Sequence, residues 1–351
     1  MTGRLRAAVL SAGAWSRTSH LPTLAADPRV DLVAVSTPNA ELLPVLAAEF
    51  DVAHAEQDWR VALEHRPDVV VVSSPPVAHE EQVVAALEAG AHVLVEKPFA
   101  LGAGAARRMH DAARRADRAL LVGFGWPAAP AFTTARSLVE QDEIGEVEHL
   151  MNHLAVNTRA LLTGGTDGGW GGQSSSAPST YTTRSVSGGG AGAVSMSHQL
   201  GLVSWITGLR FTEVMASTFP RSGDIDLHVS ATATLTNGSV ASLSCASTHP
   251  YLARPQWHLA LYGSRGQLWV DSVQDVLRLV RANGDVVDHP VERSSGVYDP
   301  GAPTTALVEC GLGGPVPAGM SAELAVHVVE TTDALYRSAA SGDPVCVEGV
   351  A

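Results

Sequence analysis

The sequence predicts an α/β chain, with a doubly wound parallel sheet at the N-terminus followed by an α+β domain with a large, mainly antiparallel open sheet. Three observations carry that prediction. Over residues 6–122 short apolar runs alternate with helical patterns, as a parallel sheet with helical crossovers requires. From about residue 210 onward strand-like runs follow one another with one polar face and with Asn-Gly turns between them. The 351 residues leave room for two domains, and the change of texture after Val122 divides them into 1–122 and 123–351.

The first domain's strands are expected at 6–10, 30–35, 69–72, 92–95 and 119–122, about five in all. Helices are expected at 21–26, 40–49, 77–89 and 102–116, where apolar residues recur at three- and four-residue spacing. The four valines at 69–72 do not alternate with polar residues, which marks a strand covered on both faces. In the second domain a helix at 130–140 leads into a strand at 146–156. The Gly-, Ser- and Thr-rich stretch 163–193 is too long for an ordinary connection and reads as a functional loop. A helix at 192–207 follows it, then strands at 212–218, 227–235, 240–246, 258–262, 267–271 and 276–281, and a closing helix at 321–338. Val229, Ala231, Ala233 and Leu235 alternate with Ser230, Thr232 and Thr234, giving that sheet two different faces. Asn237-Gly238 and Asn283-Gly284 fit hairpin turns.

Composition narrows the function. With 36 acidic against 23 basic residues the net charge is −13, which argues against a nucleic-acid partner and against an anionic membrane surface. No apolar run is long enough to span a bilayer and residues 1–10 lack a signal core, so a cytoplasmic location is expected. Cys245, Cys310 and Cys346 are too scattered for a disulfide framework or a zinc ribbon, and no metal is expected. Twenty-two of the basic residues are Arg and one, Lys97, is Lys. A coding bias that replaces Lys by Arg wherever either serves would leave Lys where only an ammonium, which can lose its proton, will do. From composition alone, chance survival is the alternative.

Two edges of the expected sheet carry candidate chemistry. After the first strand, SAGAWS at 11–16 stands where a dinucleotide-binding turn would read G-x-G-x-x-G. Gly13 keeps the middle glycine, where a Cβ would hold the backbone away from a pyrophosphate, while Ser11 and Ser16 replace the outer two. Ser11, Gly13, Ala14 and Trp15 are therefore candidate cofactor contacts. The second strand ends without an acid. Ser36, Thr37 and Asn39 could bond a plain ribose or, with Arg17 as counter-charge, a 2′-phosphate, so NAD and NADP both remain open. Lys97 lies in VLVEKP at 93–98, where Pro98 keeps it extended at the carboxyl edge of the sheet. Ser74 and Pro75, leading to His79, lie on the neighbouring edge.

These segments resemble the Gfo/Idh/MocA family of NAD(P)-dependent oxidoreductases, which includes glucose–fructose oxidoreductase and inositol dehydrogenases. The matching stretches are AGAWSRTSHLP at 12–22, SSPPVAHEEQVVAALEAGAHVLVEKPFAL at 73–101, VGFGW at 122–126, IGEVEHL at 144–150 and GGGAGAVSMSHQLGLVSWITGL at 188–209. They come in the family's order and cover both domains, and the Glu-Lys-Pro block is specific. The resemblance implies a Rossmann domain for NAD or NADP, with Ser11, Gly13, Ala14, Trp15, Ser36, Thr37, Ser74, Pro75, His79, Glu96 and Lys97 at the cofactor. It implies that Lys97 and His198 are catalytic, the ammonium steadying the reacting oxygen and the imidazole exchanging its proton.

Trp126, Arg159, Tyr181, Lys97 and His198 are the expected substrate contacts, with Trp170 a further aromatic that could stack on a sugar face. Many relatives place an Asp four residues before this histidine and another three after it, whereas here Val194 and Gly201 stand there. Ser195, Ser197 or Tyr181 would then have to orient the ring. The implied activity is hydride transfer to or from a secondary alcohol or ketone of a sugar, glycoside or cyclitol, by a homodimer or homotetramer. The Arg-rich, Ala- and Gly-rich composition is that of a GC-rich coding bias, in which relatives serve aminoglycoside-type and other secondary-metabolite pathways. Redox-neutral glycoside cleavage or epimerisation, and a nucleotide-binding partner without turnover, are the alternatives.

Overall fold

The computed structural model describes residues 3–165, 180–248, 256–291 and 298–350. They form two compact units. One takes the chain up to Gly125 together with Pro300–Val326; the other takes Trp126–Asp299 apart from a few residues outside the described set, and resumes at His327.

The first unit contains β1 (Leu5–Leu10), α1 (Leu21–Ala26), β2 (Val30–Ser36), α2 (Leu43–Phe50), β3 (His54–Glu56), α3 (Trp59–Glu64), β4 (Val69–Val72), α4 (His79–Glu88), β5 (His92–Val95), α5 (Ala103–Ala116) and β6 (Leu120–Val122). The strands pair in parallel in the order β3-β2-β1-β4-β5-β6, the Rossmann order, with its switch point between β1 and β4. All four valines of β4 are fully buried, as their unbroken apolar run requires.

The sheet has six strands, one more than expected, because β3 is only three residues long and has no apolar run. The helix expected to begin at residue 40 starts instead at Leu43: the Asn39 side chain accepts the Glu41 N–H at 3.1 Å, an Asx turn that occupies the intervening residues. Before α1 the chain forms a π-helical turn at Ser16–His20.

The second unit contains α6 (Pro130–Glu140), β7 (Val147–Val156), α7 (Arg159–Thr163), α8 (Arg184–Ser187), α9 (Ser197–Thr207), β8 (Phe211–Phe219), β9 (His228–Leu235), β10 (Val240–Ser247), β11 (Gln256–Gly263), β12 (Gly266–Asp271), β13 (Val276–Arg281) and β14 (Val286–Pro290). After α10 (Ala302–Gly311), which lies in the first unit, come α11 (Ala322–Ser341) and β15 (Val345–Cys346). The nine strands run in the order β14-β13-β12-β11-β7-β10-β9-β8-β15. Every pair is antiparallel except β7 with β10.

The alternation in β9 does divide the sheet into two faces. Val229, Ala231, Ala233 and Leu235 are buried with Leu243, Leu259, Leu268 and Leu279 of neighbouring strands. The other face carries a register row running Met215, Thr232, Ser242, Met151, Ala260, Trp269 and Arg278. Of these, Met151, Met215 and Trp269 are exposed. Among the described residues no helix is long and apolar enough to cross a membrane.

The described part of the glycine-rich stretch is held by one buried carboxylate. Trp170 and the rest of 166–179 lie outside the described residues. Asp226 accepts the Gly190 N–H (2.9 Å), the Gly192 N–H (2.8 Å) and the Tyr336 hydroxyl (2.7 Å), while its own carbonyl accepts the Ala191 N–H (2.8 Å). These donors open the π-helical turn Gly192–Met196 that runs into α9, where a negative group is favoured by the helix N-terminus. A Cβ on Gly190 would lie 1.9 Å from the Asp226 carbonyl oxygen. Gly190→Ala is expected to lower stability by about 1–3 kcal/mol, the usual range for overpacking, read as an earlier urea midpoint with unchanged slope.

Candidate active site

In the first unit, the turn after β1 and the segment after β5 meet through one carboxylate. Glu96 is buried, and its Oε1 accepts the Trp15 indole N–H at 2.9 Å and lies 3.1 Å from His20 Nε2. Its Oε2 accepts the Lys97 backbone N–H at 3.1 Å. His20 is fixed from its other side by Thr304 Oγ1, 2.7 Å from Nδ1. Burial pushes the Glu96 carboxyl up, but the hydrogen bond from His20 and the charge of Lys97 outweigh it and hold the group below its usual 4.5. A Cβ on Gly123 would stand 2.6 Å from Glu96 Oε1, so the chain just past β6 must be glycine for the carboxylate to fit. Glu96 is therefore a brace between the turn, His20 and the lysine; its oxygens are taken up by these partners, which corrects its expected place as a cofactor contact.

Lys97 follows β5 at the carboxyl edge of the sheet, half-buried, with a cis peptide bond to Pro98. Among the described residues its ammonium has no ion-pair or hydrogen-bond partner. Burial lowers its pKa from the ordinary 10.5, against the pull of the neighbouring Glu96 charge. The site thus presents an ammonium braced through its backbone, with its donors free.

The turn itself fits a dinucleotide. Ser11 takes up the left-handed conformation, φ 57°, that the missing first glycine would have supplied. It is held there by its N–H to Ser36 Oγ (3.1 Å) and by its Oγ accepting from Gln82 (3.0 Å). Gly13 has no such demand: a Cβ there would meet nothing within 4 Å, and its φ lies outside the left-handed region. No neighbour in the protein requires a glycine at 13, and what the missing side chain leaves open is the surface where a phosphate would approach. The helical residues Ala14 and Trp15 then present backbone N–H groups at a helix start, which suits an anion.

The remaining expected contacts divide. Ser36 Oγ accepts the Ser11 N–H, and Thr37 Oγ1 the Asn39 N–H at 3.4 Å, and each hydroxyl keeps its own O–H to donate. Arg17 is paired with Glu49 at 2.7 Å and is not a free counter-charge. Ser74 and Pro75 follow β4 on the other side of the switch point from Ser11. His79 was expected at the cofactor but is wholly enclosed: Nδ1 is 3.1 Å from the Phe99 carbonyl and Nε2 2.8 Å from that of Ser74. Burial lowers its pKa, and a neutral ring donates to one of those carbonyls at a time. It braces the two edge segments from behind.

In the second unit, His198 sits in the first turn of α9, buried, with the Tyr298 ring edge-on at 5.5 Å between centroids. The helix is pinned by Gln199, whose side-chain amide donates to Asn152 O (3.0 Å), Asn152 Oδ1 (3.2 Å) and Ser244 O (3.0 Å). Asn152 Oδ1 also accepts from the Trp257 indole at 2.9 Å. Of the groups expected to orient His198, Ser197 Oγ makes no hydrogen bond among the described residues and Ser195 is engaged with Cys245. Val194 is buried on the π-helical turn that precedes it and offers no carboxylate.

Arg159 opens α7 and Tyr181 lies in the turn before α8, both half-buried. Trp126, expected to stack on a substrate, is fully buried with its ring 5.5 Å from that of Trp205, which makes it a core residue. Sequence reasoning gave no role to His20, Tyr298, Asp226 or Tyr336. Only His20 carried a signal, its place in the AWSRTSHLP stretch.

Two family models match the chain: the oxidoreductase family's NAD-binding Rossmann fold over residues 5–124, and the GFO/IDH/MocA C-terminal domain over 132–269. A D-glucoside 3-dehydrogenase of Escherichia coli is 32% identical over 187 residues, 53% of this chain and 49% of that protein. A levoglucosan dehydrogenase of Pseudarthrobacter phenanthrenivorans is 31% identical over 115 residues, 32% of this chain and 29% of that one. The chain thus spans half or less of the length of these curated relatives. Among solved structures, GenD2 from gentamicin A biosynthesis, in complex with NAD, superposes with a TM-score of 0.80 at 26% identity, covering 99% of this chain and 98% of that one.

The Gly13 turn generates a clean test. Gly13→Ala should leave the unfolding free energy, read by urea denaturation, within about 0.5 kcal/mol of the parent, as a substitution meeting no neighbour does. NADH affinity, read by fluorescence titration, should fall at least about tenfold, since a methyl group would stand where the backbone approaches the pyrophosphate.

Proposed function

The chain belongs to the GFO/IDH/MocA oxidoreductase family, and from that premise we propose that it is an NAD-dependent dehydrogenase or ketoreductase acting on a secondary alcohol or ketone of a sugar, glycoside or cyclitol ring. One observation carries the reading: the chain's sole lysine is half-buried at the carboxyl edge of the Rossmann sheet, braced through its backbone by Glu96 and with no partner for its ammonium among the described residues. The cofactor, when bound, supplies the hydride acceptor or donor. Lys97 donates a hydrogen bond to the reacting oxygen and stabilises the negative charge that develops on it. His198 takes the hydroxyl proton in oxidation and returns it in reduction. Its orientation comes from α9, pinned through Gln199 and the Asp226 cluster.

NAD is favoured over NADP because Arg17, the candidate counter-charge for a 2′-phosphate, is paired with Glu49. Arg159 and Tyr181 are assigned to substrate hydroxyls. The named sugar dehydrogenases support the ring alcohol as substrate class, and the likeness to GenD2 supports an aminoglycoside-type or related secondary-metabolite sugar within it. The exposed row of Met151, Met215 and Trp269 on the open sheet face is assigned to self-association as a homodimer or homotetramer. Three free cysteines favour the reducing cytoplasm.

Lys97→Ala and Lys97→Arg should each lower kcat by about 10²–10⁴-fold in a nicotinamide absorbance assay across a panel of polyols and amino sugars, with NADH binding retained. Full turnover by either variant would sink the assignment. A second outcome concerns pH. Activity needs the protonated ammonium, so it should fall as pH rises through the Lys97 pKa, which lies below 10.5. Removing the Glu96 charge removes what raises that pKa, so in Glu96→Gln the alkaline limb of kcat/KM should move to lower pH.

A further inference from the structure

His54, Glu56 and His65 form a cluster on the outer edge of the Rossmann sheet that the dehydrogenase reading leaves unused. His54 and Glu56 are alternate residues of β3, so their side chains leave the strand on one side. His65 closes α3 and brings its ring to the same place: the two imidazoles stack with centroids 3.7 Å apart and planes 12° from parallel. One ligand atom from each of the three residues lies within 4.8 Å of the others.

The backbone at the end of α3 is anchored, and small rotations of the stacked rings would turn their nitrogens toward one ion. The Arg6 side chain donates to the His65 carbonyl at 2.6 Å and to the Arg66 carbonyl at 3.3 Å, tying the end of α3 to β1. His65 Nε2 is shielded from water yet makes no hydrogen bond, and Glu56 Oε1 lies 3.5 Å from it. A shielded ring nitrogen without a hydrogen bond is destabilising unless something else meets its lone pair.

We propose that His54, Glu56 and His65 bind a divalent transition-metal ion of the Zn²⁺ class. Two imidazoles and one carboxylate suit such an ion, with water completing the shell, whereas Mg²⁺ and Ca²⁺ prefer all-oxygen sites. The ion would staple the short edge strand β3 to the end of α3. Glu56 also accepts the Thr37 N–H through its carbonyl, at 3.0 Å, so the staple holds the chain that follows β2. The proposal is independent of catalysis by Lys97 and His198.

The test uses the full chain, dialysed against a chelator and then titrated with ZnCl₂ by calorimetry, with MgCl₂ in parallel. One Zn²⁺ per chain should bind, raising Tm, and Mg²⁺ should produce neither effect. His54→Ala and His65→Ala should each weaken Zn²⁺ binding at least about tenfold and abolish the Tm rise. His54 is exposed, so its variant decides the matter even if the His65 variant folds poorly. Absence of Zn²⁺ binding, or equal binding and an equal Tm rise in parent and His54→Ala, would overturn the site, the second result assigning the ion to other surface histidines.

Discussion

The first unit depends on a buried negative charge at Glu96. Its two oxygens join three pieces of chain that are distant in sequence: the turn after β1 through Trp15, the following π-helical turn through His20, and the segment after β5 through the Lys97 N–H. A carboxylate out of water is destabilising unless its lone pairs are met, and here donors surround it. Its lowered pKa has a thermodynamic counterpart. The stability it contributes is complete above the unfolded value near 4.5 and is lost as pH falls through the lower folded value. The same charge is the opposite pole of the Lys97 ammonium, so one group serves both packing and the electrostatics of the proposed reaction.

The second unit repeats the device with different parts. Asp226, 36 residues along the chain from Gly190, receives two backbone N–H groups and a tyrosine hydroxyl. The Tyr336 hydroxyl in turn accepts the Ala193 N–H at 3.1 Å, and burial together with the Asp226 charge raises its pKa well above 10.0, which keeps it a hydrogen-bond donor. The start of the His198 helix is thus fixed by a carboxylate from a distant part of the chain. Val194 and Gly201 offer the ring no carboxylate; the helix is held from its N-terminus, and the ring has Tyr298 at its edge.

What was legible in the sequence follows from period and burial. The run of four valines placed β4, the apolar-polar alternation placed β9 and its two faces, and the solitary lysine before Pro98 marked the sheet edge. What was not legible had no local signal. His-Ala-Glu has no apolar pattern, so β3 exists because β2 offers it a partner at residues 34–36. The parallel pairing of β7 with β10 joins strands some ninety residues apart, beyond the reach of any turn rule. An aromatic that could stack on a sugar face and one that packs in a core look alike in sequence, and the enclosure of Trp126 beside Trp205 is a tertiary fact. The long glycine-rich stretch suggested a loop, while its described end is shaped by close approach to Asp226.

The return of α10 to the first unit has a consequence in time. Leu307, Val308, Cys310 and Met320 belong to the same core cluster as Val9, Val35, Val71 and Leu94. A ribosome that has emitted residues 1–125 has therefore released an unfinished sheet, one flank of which stays uncovered until some two hundred further residues have emerged. During that interval the apolar flank is a natural client for a chaperone. A fragment cut at the apparent end of the nucleotide domain would carry the same exposed flank permanently.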